Sequence, residues 1–133
     1  MMTRISRFAL GLLALLSASV FSADGARADA LSLNDLLGTW CGSTADYVFA
    51  RDRLTVLFHD GSAPRVLPIR KLDVRESEIK VYWDIKRSDL AEDDIATTFY
   101  DFDDARQNMA QMANRSGDMG PRIPFHRGSP ACN

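Results

Sequence analysis

The chain has 133 residues, with 16 lysines and arginines against 18 aspartates and glutamates, for a net charge of −2. This length fits a single domain with one hydrophobic core. The slightly acidic balance argues against nucleic acid or an anionic membrane surface as a partner, because proteins that bind either one are usually clearly basic.

The first thirty residues have the pattern of a secretory signal peptide. Two arginines precede an apolar run from Phe8 to Phe21, and Ala28-Asp29-Ala30 follows as a small-residue cleavage site. The run is too short for a membrane span, which needs about twenty helical residues. We expect residues 1–30 to be removed, with cleavage after Ala28 as the alternative. Residues 31–133 then form one domain, periplasmic or secreted, without a stable membrane anchor.

The only two cysteines, Cys41 and Cys132, both lie in the exported part. An oxidising compartment allows them to form a disulfide, and two thiols permit one intramolecular pairing. That bridge closes a loop of about 91 residues, for which the chain-entropy model gives about 4 to 5 kcal/mol of stability. Free or intermolecular thiols are the alternative.

Elements taken in chain order begin with a helical turn over Leu31–Leu37, where Ser32 is suited to be the N-cap. Gly38 ends this turn. The β-branched and aromatic residues that follow, separated by turn residues such as Asp60-Gly61, predict a series of short strands. These strands are Trp40–Gly42, Tyr47–Phe49, Arg53–His59, Arg65–Val74, Glu78–Lys86, Ala96–Phe102 and Ile123–Arg127.

Three segments carry special signals. Pro64 and Pro68 predict an edge position, a bulge or an irregular start for the fourth strand, because proline cannot donate to a central ladder. Residues Asp103–Ala113 fit either a capped helix or a strand, since Met109 and Met112 have helical spacing. The glycines and the proline of Asn114–Pro121 predict a loop.

Many short strands at regular spacing, without a long amphipathic helix, are typical of an all-β protein. We predict a small antiparallel meander barrel with a short N-terminal helical turn, because closure removes the exposed edges of a small sheet. A β-sandwich is the alternative.

The segment Gly38-Thr39-Trp40 resembles the start of a lipocalin-like, calycin-type barrel, in which the tryptophan plugs the barrel base. The resemblance implies that an arginine near the end of the last strand packs across the tryptophan ring, and Arg127 is at that place. The two-residue period of a strand then turns Cys41 outward, toward the tail. The resemblance implies the fold and no particular ligand.

Four aromatic side chains are candidates to line a ligand cavity or else to pack as core: Tyr47, Phe49, Trp83 and Phe99. The two histidines of the domain, His59 and His126, have no metal-ligand spacing, and His59-Asp60 fits a hairpin tip. We predict no catalytic residues, metal or cofactor.

The expected function is that of an exported, non-enzymatic binding module that engages a small ligand, a cell-envelope component or a protein. Its contacts would come from barrel-lining aromatics and from rim loops around Gly61, Asp89–Asp94 and Gly117. A periplasmic inhibitor or protein-interaction domain without an internal cavity is the alternative. A small hydrolase is the third.

Overall fold

The computed structural model describes residues 29–115 and 118–132, so nearly all of the expected signal peptide lies outside the described residues. The chain forms strands, one short helix and one 3₁₀ turn. The elements are α1 (Leu33–Leu36), β1 (Gly38–Cys41), β2 (Ala45–Phe49), β3 (Arg53–Phe58), β4 (Arg65–Val74), β5 (Ile79–Trp83), the 3₁₀ turn (Glu92–Asp94), β6 (Ala96–Tyr100), β7 (Asn108–Arg115), β8 (Asp118–Met119) and β9 (Ile123–Arg127).

Eight of the strands form a closed antiparallel barrel. The strand order is β6-β5-β4-β3-β2-β1-β9-β7, and a further pairing of β6 with β7 closes the ring. The two-residue strand β8 extends the sheet beyond β7. The predicted meander barrel is confirmed, and the sandwich alternative is wrong. An eight-stranded antiparallel barrel is compatible with a lipocalin-like fold.

The helix α1 begins where the sequence predicts a cap. The Asp35 carboxylate accepts a hydrogen bond from the Ser32 backbone N–H at 2.8 Å, which ties the first turn together. Leu36 is fully buried, so α1 packs on the barrel. We call the end of the barrel at which α1 lies the base.

The strand β4, in which Pro68 lies, contains a bulge and has neighbouring strands on both sides. Pro68 is paired with Arg53 of β3. Directly after it, the register between β4 and β5 shifts between Ile69 and Lys71. The bulge lets β4 change its ladder partner from β3 to β5.

In the C-terminal third, the structure decides one open alternative in favour of a strand and departs from one expectation. Asp103–Ala113 is a turn followed by strand β7, since the Asp103 carboxylate accepts hydrogen bonds from the backbone N–H groups of Gln107 and Asn108 at 2.7 and 3.0 Å. The predicted loop over Asn114–Pro121 is wrong in part, because strand pairing between β7 and β8 continues into it. Residues 116–117 lie outside the described residues.

The boundaries of five strands differ from the predicted ones, namely those of β1, β2, β3, β5 and β6. β2 begins two residues earlier than predicted, and β3 and β6 end one and two residues earlier. β5 ends at Trp83, three residues before the predicted end, because its pairing with β6 stops at Tyr82. β1 runs from Gly38 to Cys41, so the predicted end at Gly42 is one residue too late.

The core lies inside the barrel. The fully buried large side chains there are Trp40, Phe99, Leu36, Leu54, Ile79, Met109 and Val81. In the part of the chain that the structure describes, no helix has the length and hydropathy of a membrane span.

Candidate functional site

The base of the barrel is closed by Trp40 and Arg127. The Trp40 indole is buried and donates from Nε1 to the Leu36 carbonyl at 2.8 Å. The Arg127 guanidinium lies 3.9 Å from the centre of the Trp40 ring. It also donates to the carbonyls of Leu37 and Asp35 at 2.5 and 2.6 Å. One arginine therefore joins the last strand to the helix and to the first strand.

Burial lowers the pKa of Arg127 from its usual value, and the negative charge of Asp35 opposes this shift. The side chain stays charged, because an arginine pKa begins far above neutral pH. Its contacts are to backbone carbonyls and to a tryptophan face, so the position stabilises the fold at the base.

The cysteines form the disulfide Cys41–Cys132, with Cα atoms 5.6 Å apart and a sequence separation of 91 positions. The backbone N–H of Gly128 donates to the Thr39 carbonyl at 2.9 Å, which holds the start of the tail against β1. A Cβ atom added at Gly128 would lie 3.2 Å from each sulfur. The bridge thus packs directly on the tail backbone.

The four aromatic candidates for ligand contacts come together inside the barrel. Phe49 and Phe99 meet edge to face with their ring centres 5.1 Å apart. Tyr47 contacts Phe49, with ring centres 6.1 Å apart. Trp83 donates from Nε1 to the Thr97 hydroxyl at 3.0 Å. Burial raises the pKa of the Tyr47 phenol. Phe49, Trp83 and Phe99 are buried members of the core cluster, and Tyr47 is partly buried against it.

Three cavities formed by the described residues lie at the ends and on the outside of the barrel. One of about 650 Å³ is a groove at the base between the N-terminal segment, the β4–β5 turn and the end of β6. A cavity of about 370 Å³ lies under the loop between β5 and β6 at the opposite end. A third, of about 300 Å³, lies beside Cys41 and His126. None of the three is lined by Tyr47, Phe49, Trp83 or Phe99.

An apolar surface lies on the hairpin formed by β3 and β4. Leu57 is 39% exposed, Phe58 is 37% exposed and Val66 is 54% exposed. In the β3–β4 register, Thr55 is the partner of Val66. Because side chains two residues apart share a strand face, Leu57 lies on the same outer face as Thr55 and Val66. Phe58 is on the opposite face, with the buried Leu54 and Val56. We call Leu57 and Val66 the hairpin patch.

His59 pairs with Asp46 on the neighbouring strand and not with Asp60. Its Nε2 lies 2.8 Å from the Asp46 carboxylate, and its Nδ1 lies 3.2 Å from the Ser43 carbonyl. The hydrogen bond with Asp46, and then the one with Ser43, raises the pKa of His59. Both partners are acceptors, so the ring binds them best as a doubly protonated imidazolium, which has no lone pair for a substrate. Asp60 instead accepts from the Ser62 backbone N–H at 2.8 Å.

Sequence reasoning missed the hairpin patch and the pair of His59 with Asp46. A signal for the patch exists, because Leu57 interrupts the otherwise polar face of Thr55 and His59. The pair joins residues 13 positions apart, and its contact depends on the register of β2 and β3.

Comparisons with models of protein families, with curated proteins and with solved structures found no match to this chain. Function must therefore be argued from the geometry above.

Proposed function

We propose that the chain is an exported, non-enzymatic binding module that engages a protein partner through the hairpin patch. The supporting observation is that the aromatic side chains inside the barrel are packed, whereas apolar side chains on the hairpin are exposed. Tyr47, Phe49 and Phe99 contact one another inside the barrel, whereas Leu57 and Val66 on one outer face of the β3–β4 hairpin are more than a third exposed. Exposed apolar groups that lie next to each other mark interaction surfaces more often than isolated ones do.

Export to the periplasm or to the outside of the cell is part of this proposal. Its support is the signal-peptide pattern of residues 1–30 and the disulfide, which is consistent with an oxidising exported compartment. Membership of the calycin-type barrels is also a proposal. The stacking of Arg127 on Trp40 supports it.

A non-enzymatic role fits the histidines of the domain. His59 has both ring nitrogens next to acceptor atoms, so it is poorly suited to accept a proton from a substrate. A protein-binding role also needs no internal cavity, and this favours a protein partner over a ligand held inside the barrel.

The test is panning of a random peptide display library on the oxidised, exported protein. We expect the selected peptides to carry apolar side chains. The double variant Leu57→Ser/Val66→Ser should weaken their binding at least tenfold. Val74→Ser is the matched control, because Val74 is 39% exposed on the far half of β4. Equal weakening by the control, or no weakening by the double variant, would contradict the proposal.

The base groove supports a second candidate function, the binding of a small ligand at the end of the barrel. Its lining combines the apolar Leu31, Phe102 and Met112 with the carboxylates of Glu76 and Glu78, and a volume of about 650 Å³ is within the range of ligand sites. Asp29 and Ala30 also line the groove, so cleavage after Ala28 keeps this wall and cleavage after Ala30 removes it.

Fragment screening by ligand-observed NMR tests the groove independently of the hairpin patch. Ser77 lines the groove on the β4–β5 turn, so Ser77→Trp should fill it and abolish the signal of any fragment bound there. Fragments that bind the Ser77→Trp variant as well as the parent protein would rule out this second function.

A further inference from the structure

A row of side chains crosses the outer face of the barrel beside the disulfide. Trp40 points inward, so the two-residue period of β1 turns Cys41 outward. Cys41 is the register partner of Asp46 on one side and of His126 on the other. Directly opposed residues of an antiparallel pair have Cβ atoms about 5 Å apart on the same face. The tail then brings Cys132 onto this row.

The donor atoms of three of these side chains form a cluster. The sulfur atoms of Cys41 and Cys132 and a carboxylate oxygen of Asp46 all lie within 4.8 Å of one another. Two sulfurs and one carboxylate oxygen are ligands that Zn²⁺ accepts, and three protein ligands plus a solvent molecule complete a tetrahedral site.

Asp46 is held in place by its own neighbours. His59 lies 2.8 Å from its Oδ1 atom, and the backbone N–H of Gly42 donates to the same oxygen at 3.4 Å. Both hydrogen bonds described for this carboxylate therefore end on one oxygen, so Oδ2 can face a metal. Such outer partners orient a ligating carboxylate and raise metal affinity.

We propose that reduction of the Cys41–Cys132 disulfide converts this cluster into a Zn²⁺ site with Cys41, Cys132 and Asp46 as ligands. An external dithiol supplies two electrons and two protons to the cysteine sulfurs and leaves as a disulfide itself. Zn²⁺ then binds the two thiolates, and both protons pass to solvent. The disulfide and the Zn²⁺ site are alternative links between β1 and the tail.

The required movement is small and falls on the tail. Two thiolates on one zinc ion lie about 3.8 Å apart, given Zn–S bonds of about 2.3 Å. Cys41 is fixed within β1, whereas Cys132 lies five residues after the end of β9. The hydrogen bond from Gly128 to Thr39 keeps the tail near β1 when the disulfide is open. The proposal concerns the disulfide and does not rest on the hairpin patch.

Titration with Co²⁺ and then Zn²⁺ tests the site in the exported protein, reduced with a phosphine. We expect one Co²⁺ per chain with a thiolate-to-cobalt charge-transfer band, its loss on addition of Zn²⁺, and no band for the oxidised protein. Asp46→Asn should weaken Zn²⁺ binding at least tenfold. Asp52→Asn is the matched control, because Asp52 is an exposed carboxylate on the next turn, and it should change the affinity less than twofold.

Equal Zn²⁺ affinity of the reduced parent protein and the Cys132→Ser variant would overturn the proposal, as would an unchanged affinity of Asp46→Asn. A thermal scan covers the case in which the reduced chain loses its fold without metal. Zn²⁺ should then raise the Tm of the reduced parent protein by several degrees and leave that of Cys132→Ser unchanged. If Zn²⁺ did not raise the Tm of the reduced parent protein, the proposal would also be overturned.

Discussion

Arg127 contacts four different groups at the base of the barrel. It donates to the carbonyls of Asp35 and Leu37 and, at 3.4 Å, to that of Arg106, and it stacks on Trp40. Each buried carbonyl that loses a donor costs about 1 kcal/mol or more, and the stacking contributes about 0.5 to 2 kcal/mol.

We therefore expect Arg127→Met to lower the free energy of unfolding by about 3 kcal/mol in urea denaturation. Arg122→Met is the control. Arg122 is an exposed arginine that pairs with Asp101 at 3.1 Å, and exposed pairs contribute little. Its loss should cost less than about 0.5 kcal/mol. A loss below about 1 kcal/mol for Arg127→Met would mean that the base is not held by this side chain.

Asp103 predicts how stability depends on pH. Hydrogen bonds from the Asn108 side chain, and from backbone N–H groups of Asn108 and Gln107, hold the pKa of Asp103 below its usual value. A carboxylate whose pKa is depressed in the folded state adds stability above its unfolded pKa, and this contribution is lost as the pH falls.

Asp103→Asn should therefore reduce the urea midpoint at pH 7 and flatten its decline between pH 5 and about pH 3. Asp104→Asn, at the exposed next position, is the control and should follow the parent curve. If Asp103→Asn declined as steeply with acid as the parent protein, the hydrogen bonds of this turn would not be the source of the effect.

At the scale of elements, the turn between β1 and β2 leaves no room for a side chain at Gly42. A Cβ atom added at Gly42 would lie 2.5 Å from the Ala45 carbonyl oxygen and 2.7 Å from a ring carbon of Phe125. Neither atom is the end of a flexible side chain, so the backbone must shift.

We expect Gly42→Ala to lower the free energy of unfolding by about 2 to 3 kcal/mol, as overpacking does in cores. Gly61→Ala is the comparison. Gly61 has a φ of +85° with nothing within 4 Å of an added Cβ, so only backbone strain of about 1 kcal/mol applies there. Chemical denaturation of both variants measures which one loses more unfolding free energy. A larger loss for Gly61→Ala than for Gly42→Ala would contradict this prediction.

The alternation of apolar and polar residues was sufficient to predict most strands. It was not sufficient for β7, where pairing with neighbouring strands determines the structure. Ile79, Val81 and Trp83 alternate with polar residues, and all three are buried as that alternation predicts. Met109 and Met112 have helical spacing, yet Met109 is paired with Phe125 and Met112 with Thr98 on opposite sides of β7. The identity of β7 as a strand comes from its pairing with β6 and β9, which the spacing of residues within β7 does not reveal.

In the candidate site too, some features follow from the local sequence and others depend on how the strands pair. The resemblance of Gly38-Thr39-Trp40 to a lipocalin-like start implies that Trp40 points inward, and the strand period then turns Cys41 outward. The exposure of Leu57 and Val66 depends on which other elements cover the outer face. The pair of Asp46 with His59 depends on strand register, and neither property is a feature of the local sequence.

At the scale of the whole molecule, closure of the barrel depends on a short seam. β1 and β9 share only two register pairs, Trp40 with Arg127 and Cys41 with His126. The disulfide lies on this seam and closes a loop of 91 residues. A constraint of this length removes entropy from the unfolded chain equivalent to about 4 to 5 kcal/mol.

The double variant Cys41→Ser/Cys132→Ser should therefore lose about 4 to 5 kcal/mol of unfolding free energy, a large part of what a domain of this size has. Urea denaturation with a chelator present measures the loss without any contribution from metal. A loss below about 1 kcal/mol would show that the seam is closed without the disulfide.

A ligand can bind inside the barrel only if the interior contains an empty cavity. A search for such a cavity is therefore the most direct test of binding on the outside. Xenon enters empty apolar cavities that exclude water, and NMR of the methyl groups of the oxidised exported protein under xenon pressure detects it. We predict no saturable shifts for the methyl groups of Leu54, Val56, Ile79 and Val81, because these side chains are packed with the core aromatics. Saturable shifts at these four residues would reveal an internal cavity and contradict a module that binds its partner on the outside.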